Sequence, residues 1–282
     1  MDVAAEDSDL DAKERTVFAR LGEVEKVLVA FSGGVDSTYL AWAAHRVLGE
    51  RAEALTARSA SLAGRELEAA KHLARDIGIA HRIVDTRELD RPEYRANAPS
   101  RCFYCKDTLF DAAGLLAEAS PGTVVVDGFN ADDLSDHRPG HAAAAQRGVR
   151  HPLAEAHLSK AEIRALSRRA GLATWNKPQL ACLSSRVPYG MEVTADRLSR
   201  IERMEDVLRD MGFFDVRARL VRENEDMVRL EVGEAELTRA FEARKAVVAA
   251  GREIGFRFVA LDLEGFRSGR MNEGLVQIRS AG

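Results

Sequence analysis

The chain has 282 residues, 46% of them hydrophobic and 30% charged, a balance that can bury a full core and excludes global disorder. Its net charge of −4 argues against a broad electrostatic footprint for nucleic acid. No apolar run reaches the roughly 18 residues of a membrane helix, and the acidic start Met1–Asp11 lacks a signal-peptide pattern, so a cytoplasmic protein that does not engage a membrane is expected.

In chain order, Met1–Asp11 reads as a frayed tail and Ala12–Leu21 as a short helix. Val24–Phe31 is a nearly unbroken apolar run, the pattern of a buried parallel strand. Gly33 and Gly34 interrupt it, and Thr38–Leu48 reads as a helix. The order then repeats: strand Ala52–Ala57, helix Gly64–Ile79, strand His81–Thr86, helix Lys106–Glu118, strand Thr123–Asp127 and helix Ser159–Ala170, the last with Ser159 and Glu162 in capping-box spacing. Strands separated by helices predict an α/β fold with a doubly wound parallel sheet. The remainder differs. Thr194–Met211 and Glu234–Ala250 read as helices. Asp215–Val221 and Met227–Val232 alternate apolar with charged residues, as half-exposed antiparallel strands do, and Phe256–Leu263 is a third strand. The expected organisation is an α/β domain over 12–175, a proline-bounded linker over 176–191, and a smaller α+β domain over 192–270.

The most informative segment is Ser32-Gly33-Gly34-Val35-Asp36-Ser37, set between strand and helix. Two glycines let successive N–H groups converge on one point, and a helix N-terminus adds the positive end of its dipole. The result is a cradle for phosphate or pyrophosphate. It is neither a Walker P-loop nor a G-x-G-x-x-G turn. This segment resembles the pyrophosphate loop of the PP-loop ATPases, which adenylate an oxygen of their substrate and release pyrophosphate. The resemblance implies ATP on Ser32, Gly33, Gly34, Asp36 and Ser37. It also implies adenosine near Thr56, Ala57, Arg58 and Ser59, and a second nucleotide-facing loop at Asp127–Asp133 that includes Gly128 and Asn130. Asp36 and Asp133 are its candidate Mg²⁺ ligands.

Three cysteines are too few for a disulfide framework. Cys102 and Cys105 sit three apart. Cys182 lies in Ala181-Cys182-Leu183-Ser184-Ser185-Arg186-Val187-Pro188-Tyr189-Gly190. That second segment resembles the LarE-type ATP-dependent sulfur transferases, over about residues 12–270. These adenylate a carboxylate of pyridinium-3,5-biscarboxylic acid mononucleotide and replace an oxygen by sulfur, in making a nickel-pincer nucleotide cofactor. The resemblance implies Cys182, Cys102 and Cys105 as catalytic. They would hold a [4Fe–4S] cluster, three thiolates leaving one iron open, or Cys182 alone would be a sacrificial sulfur donor. A zinc site completed by His137 or His141 is a weaker alternative. Arg186, Arg217 and Arg219 are implied as substrate-binding, since guanidinium groups grip phosphate or carboxylate well. The expected partners are a small-molecule nucleotide substrate and further copies of the chain in a homo-oligomer. A tRNA-thiolating enzyme of the same class, an ammonia-using synthetase and a nucleotide-binding redox sensor remain rivals.

Overall fold

A computed structural model describes residues 3–134, 139–178 and 181–267. His137 and the side chain of His141, named above as zinc candidates, lie outside the described residues. Contacts divide the chain into two compact units: residues 1–94 with 100–180, and residues 95–99 with 181–282. The break at 180/181 falls inside the segment read as a linker, and it puts Cys182 in the second unit.

The first unit is built on four parallel strands, β1 (Lys26–Ala30), β2 (Ala52–Arg58), β3 (Ala80–Asp85) and β4 (Thr123–Val126), in the order β3-β2-β1-β4. The central strand β1 is apolar on both faces because both are covered. Val27 and Val29 enter a core with residues of α1 (Val3–Gly22), α2 (Val35–Leu48), α3 (Gly64–Ile77) and α8 (Lys160–Arg169). Leu28 and Ala30 enter a second core with residues of α5 (Arg101–Glu118) and α6 (Pro139–Gln146). Short helical turns α4 (Pro92–Arg95) and α7 (Pro152–Glu155) complete the unit. The sheet is therefore doubly wound. Because β1 is flanked by β2 on one side and β4 on the other, the chain reverses its direction of winding between β1 and β4. The crevice outside the carboxyl ends of those two strands is where such sheets take their ligands.

Two readings are corrected here. The stretch read as a frayed tail is helical from Val3 onward, where α1 begins. This helix is held by buried Val17 and Leu21, by Asp11 and Glu14 on Arg169 (both 2.5 Å), and by Lys13 on Glu162 (2.7 Å). The helix read from Lys106 begins five residues earlier, at Arg101, so Cys102 and Cys105 lie in the first turns of α5.

The second unit has helix α9 (Ala195–Asp210), strands β5 (Arg217–Val221), β6 (Asn224–Glu231) and β7 (Phe258–Leu261), and helices α10 (Leu237–Glu242) and α11 (Arg244–Ile254). β5 and β6 are antiparallel, as their alternation predicts, and β7 joins β6 in parallel. The single helix expected over Glu234–Ala250 is broken at Ala243. Buried Ala240, Val247, Gly251 and Ile254 keep a helical spacing across the break, so the sequence reads through it. The Arg244 guanidinium takes the Phe241 carbonyl at 3.0 Å where the first helix ends. Among the described residues no helix is long and apolar enough to cross a membrane.

Candidate functional site

The residues singled out after β1 form one tight turn. Gly33 has φ +69°, a conformation costly for any side chain, and a Cβ there would press within 3.3 Å of Ala70 on α3. Gly34 is the N-cap of α2 in extended conformation, with no side-chain cap. The N–H groups opening α2 thus lack the usual capping oxygen, and the dipole end faces the crevice. The hydroxyls of Ser32 and Ser37 lie 3.1 Å apart, and the Ser37 hydroxyl also donates to the Gly34 carbonyl at 3.2 Å.

The loop after β4 closes on this turn. A Cβ on Gly128 would stand 2.9 Å from the Ser37 nitrogen and 3.0 Å from Asp36 Cβ, so only glycine permits the approach. Asp127 is buried and meets His151 Nδ1 at 2.7 Å while accepting from the Phe129 N–H. Burial pushes its carboxyl up, but His151 and the nearby charge of Lys106 hold it below the usual carboxylate range. Asn130 donates its N–H to Asp133 Oδ2 at 3.1 Å, and its side-chain oxygen accepts from the Asp132 N–H at 3.0 Å.

Asp36 pairs with Lys160 Nζ. Its other oxygen, Oδ1, is buried without a hydrogen-bond partner. Burial raises its carboxyl above the ordinary range, the Lys160 ammonium pulls it back down, and the charge of Asp133 pushes it up again. An orphaned carboxylate oxygen with a second carboxylate in electrostatic reach suits a hard divalent cation. Lys160 opens α8, whose start is fixed by the full Ser159–Glu162 capping box, and its N–H binds Asp132 Oδ2 at 2.9 Å. Lys177 reaches back to the Gly33 carbonyl at 3.2 Å and to Glu66 at 2.9 Å. The sequence reading missed both lysines. Only the capping box signalled Lys160, by placing a cation at a helix start, and nothing signalled Lys177.

The residues expected near adenosine are placed less uniformly. Thr56 is buried, and its hydroxyl donates to the Phe31 carbonyl at 2.7 Å and meets His81 at 2.8 Å, tying β2 to the end of β1. Arg58 is exposed and bidentate with Asp85 at 2.6 and 2.8 Å. Ser59 contacts Ser61, which donates to the buried carboxylate of Glu88.

Cys102 is exposed and Cys105 half-buried on α5, three apart and so on one face of the helix. Cys182 is exposed in the second unit, and none of the three cysteines forms a disulfide. Among the described residues no three His, Cys, Asp or Glu side chains are gathered as a metal cage. The donor set nevertheless suits a cluster chemically: none of the three cysteines is a buried residue, and three thiolates leave one iron for sulfide.

Cys182 precedes a short 3₁₀ turn, Leu183–Arg186. Its carbonyl accepts from the Ser185 N–H (2.9 Å), the Ser185 hydroxyl (2.8 Å) and Arg186 Nη1 (2.9 Å). Arg186 is buried in a bidentate pair with buried Glu205 at 2.7 and 3.1 Å. Arg219 bonds Glu231 at 2.7 Å and the Ser185 carbonyl at 2.9 Å. Arg217 differs from both. It donates to the Val216 carbonyl and stacks on Phe266, and among the described residues no carboxylate pairs with it. Burial and the charges of Arg186, Arg209 and Arg219 bring its guanidinium down to about 10, so it stays charged at neutral pH.

A doubly wound sheet with a glycine turn at its winding reversal, N–H groups without a side-chain cap, an unsatisfied carboxylate and two lysines make a crevice suited to phosphate, and the similarities that follow place the chain among the ATP-using sulfurtransferases of the PP-loop class. Residues 26–97 match the family model described as "Queuosine biosynthesis protein QueC". Over 273 residues (96% of this chain, 98% of the relative) the chain is 35% identical to the pyridinium-3,5-bisthiocarboxylic acid mononucleotide synthase of Lactiplantibacillus plantarum. It is 43% identical over 270 residues, the whole of the relative, to the uncharacterized protein slr1717 of Synechocystis. It is also 26% identical over 246 residues to MJ0830 of Methanocaldococcus jannaschii, covering 92% of that protein. The chain belongs to the family of the Lactiplantibacillus synthase.

Proposed function

We propose that the protein activates a carboxylate of pyridinium-3,5-biscarboxylic acid mononucleotide with ATP and replaces one of its oxygens by sulfur. The observation that carries this reading is the near full-length similarity to a synthase named for the bisthiocarboxylic product, in a chain that keeps an open pyrophosphate turn. ATP lies with its phosphates over Ser32–Ser37, the α2 N–H groups binding the departing pyrophosphate and Lys160 and Lys177 adding positive charge. Magnesium, held by Asp36 and Asp133, would offset the phosphate charge. The substrate carboxylate attacks the α-phosphorus, the bond to pyrophosphate breaks, and a mixed anhydride with AMP remains. The loop contributes electrostatic stabilisation rather than a nucleophile. A sulfur nucleophile then adds to the carbonyl carbon, and AMP leaves with the carbon–oxygen electron pair, giving a thiocarboxylate. Arg217 binds the substrate phosphate or its second carboxylate.

Cys102, Cys105 and Cys182 would hold a [4Fe–4S] cluster, which when bound supplies sulfide at its open iron. A second reading is favoured by the exposure of Cys182 on its pinned turn. There, the thiolate itself attacks the anhydride, and loss of the Cys182 Cα proton with cleavage of the Cβ–S bond leaves dehydroalanine and the thiocarboxylate.

Two measurements test the proposal. ATP–pyrophosphate exchange must depend on the pyridinium substrate and fall at least about 100-fold in Asp36→Ala, the scale set by losing one pre-organised electrostatic group; exchange that is substrate-independent or untouched by the substitution removes the assignment. Anaerobic reconstitution then separates the sulfur sources. Iron and sulfide that bind the parent, and are lost in each Cys→Ser variant, support the cluster. Their absence, with Cys182 losing the mass of H₂S after one turnover, supports the sacrificial cysteine.

A further inference from the structure

Three arginines were expected to meet substrate, yet their guanidinium groups stand in different situations. Arg186 makes five hydrogen bonds to its own protein. Nε and Nη2 go to Glu205, and Nη1 goes to the Ala181 carbonyl (2.8 Å), the Cys182 carbonyl (2.9 Å) and the Ser185 hydroxyl (2.8 Å). Both members of the pair are almost wholly buried, with 3% and 1% of their side chains exposed. Arg186 therefore presents almost no surface to a ligand.

Glu205 does more than neutralise Arg186. Its Oε1 also accepts from the Ala218 N–H at 3.1 Å, and its Oε2 from Arg209 at 2.9 Å. Ala218 lies on β5 between Arg217 and Arg219. One carboxylate on α9 thus ties the turn carrying Cys182 to the strand carrying Arg217. Arg219 adds a second tie from the same strand, to the Ser185 carbonyl.

We propose that Arg186 is a positioning residue: through Glu205 it fixes the Cys182 turn relative to β5, and it does not touch substrate. Arg217 is then the guanidinium that meets the anion, and the network sets the separation between the sulfur and the group that anchors the substrate. This rests on Cys182 being a sulfur-handling cysteine, and it holds whether the thiolate is a ligand or the donor. The geometry has a kinetic consequence. Loosening the turn misplaces the sulfur without weakening the grip on the anion, and a misplacement near 1 Å costs on the order of 100-fold in rate.

The experiment uses the full chain, prepared anaerobically, with Arg186→Lys and Arg217→Lys compared with the parent. Thiocarboxylate formation gives kcat and KM for the pyridinium substrate. Iodoacetamide labelling without nucleotide, followed by mass spectrometry with Cys102 as internal reference, reports the Cys182 turn directly. For Arg186→Lys we expect kcat to fall about 10- to 100-fold, KM to stay within about twofold, and Cys182 labelling to change at least about threefold. For Arg217→Lys we expect a KM rise of at least about tenfold, with labelling of Cys182 unchanged. An Arg186→Lys variant that raises KM as Arg217→Lys does, with labelling at the parent rate, overturns the proposal. Should Arg186→Lys not fold, the charge-free pair Arg186→Met/Glu205→Met keeps the volume and is judged by the same two readouts. A parent that makes no thiocarboxylate overturns the proposed function instead, and the labelling comparison still decides whether Arg186 fixes the turn.

Discussion

Gly128→Ala is the sharpest available perturbation of the proposed nucleotide crevice. The new methyl carbon would lie 2.9 Å from the Ser37 nitrogen, 3.0 Å from Asp36 Cβ and 3.1 Å from the Asp36 carbonyl carbon. Two of the three are backbone atoms of the first turn of α2, which cannot rotate away. Ordinary contact begins near 3.4 Å, so the β4 loop and the pyrophosphate turn must part by about 0.5 Å, an overpacking that costs about 1–3 kcal/mol. A shift of half an ångström in a pre-organised phosphate site translates to about a tenfold loss in adenylation. The assay is substrate-dependent ATP–pyrophosphate exchange with calorimetric ATP binding, beside thermal unfolding. Gly114→Ala is the control. It lies in α5, where a Cβ would meet nothing within 4 Å, so it should be neutral or stabilise by up to about 1 kcal/mol. Exchange and ATP affinity within twofold of the parent in Gly128→Ala would refute the reasoning, because the crevice would then tolerate what its geometry forbids.

Asp36→Asn should raise the unfolding temperature at pH 7 while abolishing exchange. Burial holds this carboxyl above its unfolded value, so the contribution it makes when protonated is present at acid pH and is lost as pH rises through the folded value; a melting temperature that falls would refute this. His151→Ala should destabilise by about 1–3 kcal/mol by stripping a buried carboxylate of a partner. Because Asp127 is held below its unfolded value, stability is present above that value and lost as pH falls through the folded one. Asp127→Asn should therefore flatten the acid limb of a denaturation series. Ser159→Ala should cost about 1 kcal/mol through the lost cap and, by loosening the start of α8 that carries Lys160, weaken ATP binding as well; unchanged ATP affinity would separate the cap from the site.

Much of the first unit was legible because its signals are local and redundant. The apolar run around Val27–Ala30 can only be a strand covered on both faces. Gly33 and Gly34 mark the turn, and Ser159 with Glu162 marks a helix start that the structure reproduces bond for bond. What escaped is set by partners far away in sequence. Asp11 reads as tail until Arg169, 158 residues on, is seen to hold it. The break at Ala243 hides behind a continuous apolar stripe. Arg186 looks like a ligand for anions because no local pattern shows that Glu205, one helix further on, already occupies it. The lysines at the crevice escaped for the same reason: Lys160 meets Asp36 across 124 residues.

The short stretch 95–99 has a consequence of its own. Asn97, fully buried with φ 53°, sends its side-chain amide to the carbonyls of Val187, Pro188 and Met191 at 3.2, 2.8 and 2.9 Å, and its own carbonyl takes the Gly190 N–H. Five residues more than eighty positions upstream are thus woven into the part that begins at Ala181. The part from Ala181 onward is consequently not a portable cassette. Excised at 181, it would lack the strap that organises the segment just after Cys182. Any lineage or laboratory wishing to recombine the first unit with a different second unit must exchange two separate stretches of the gene at once.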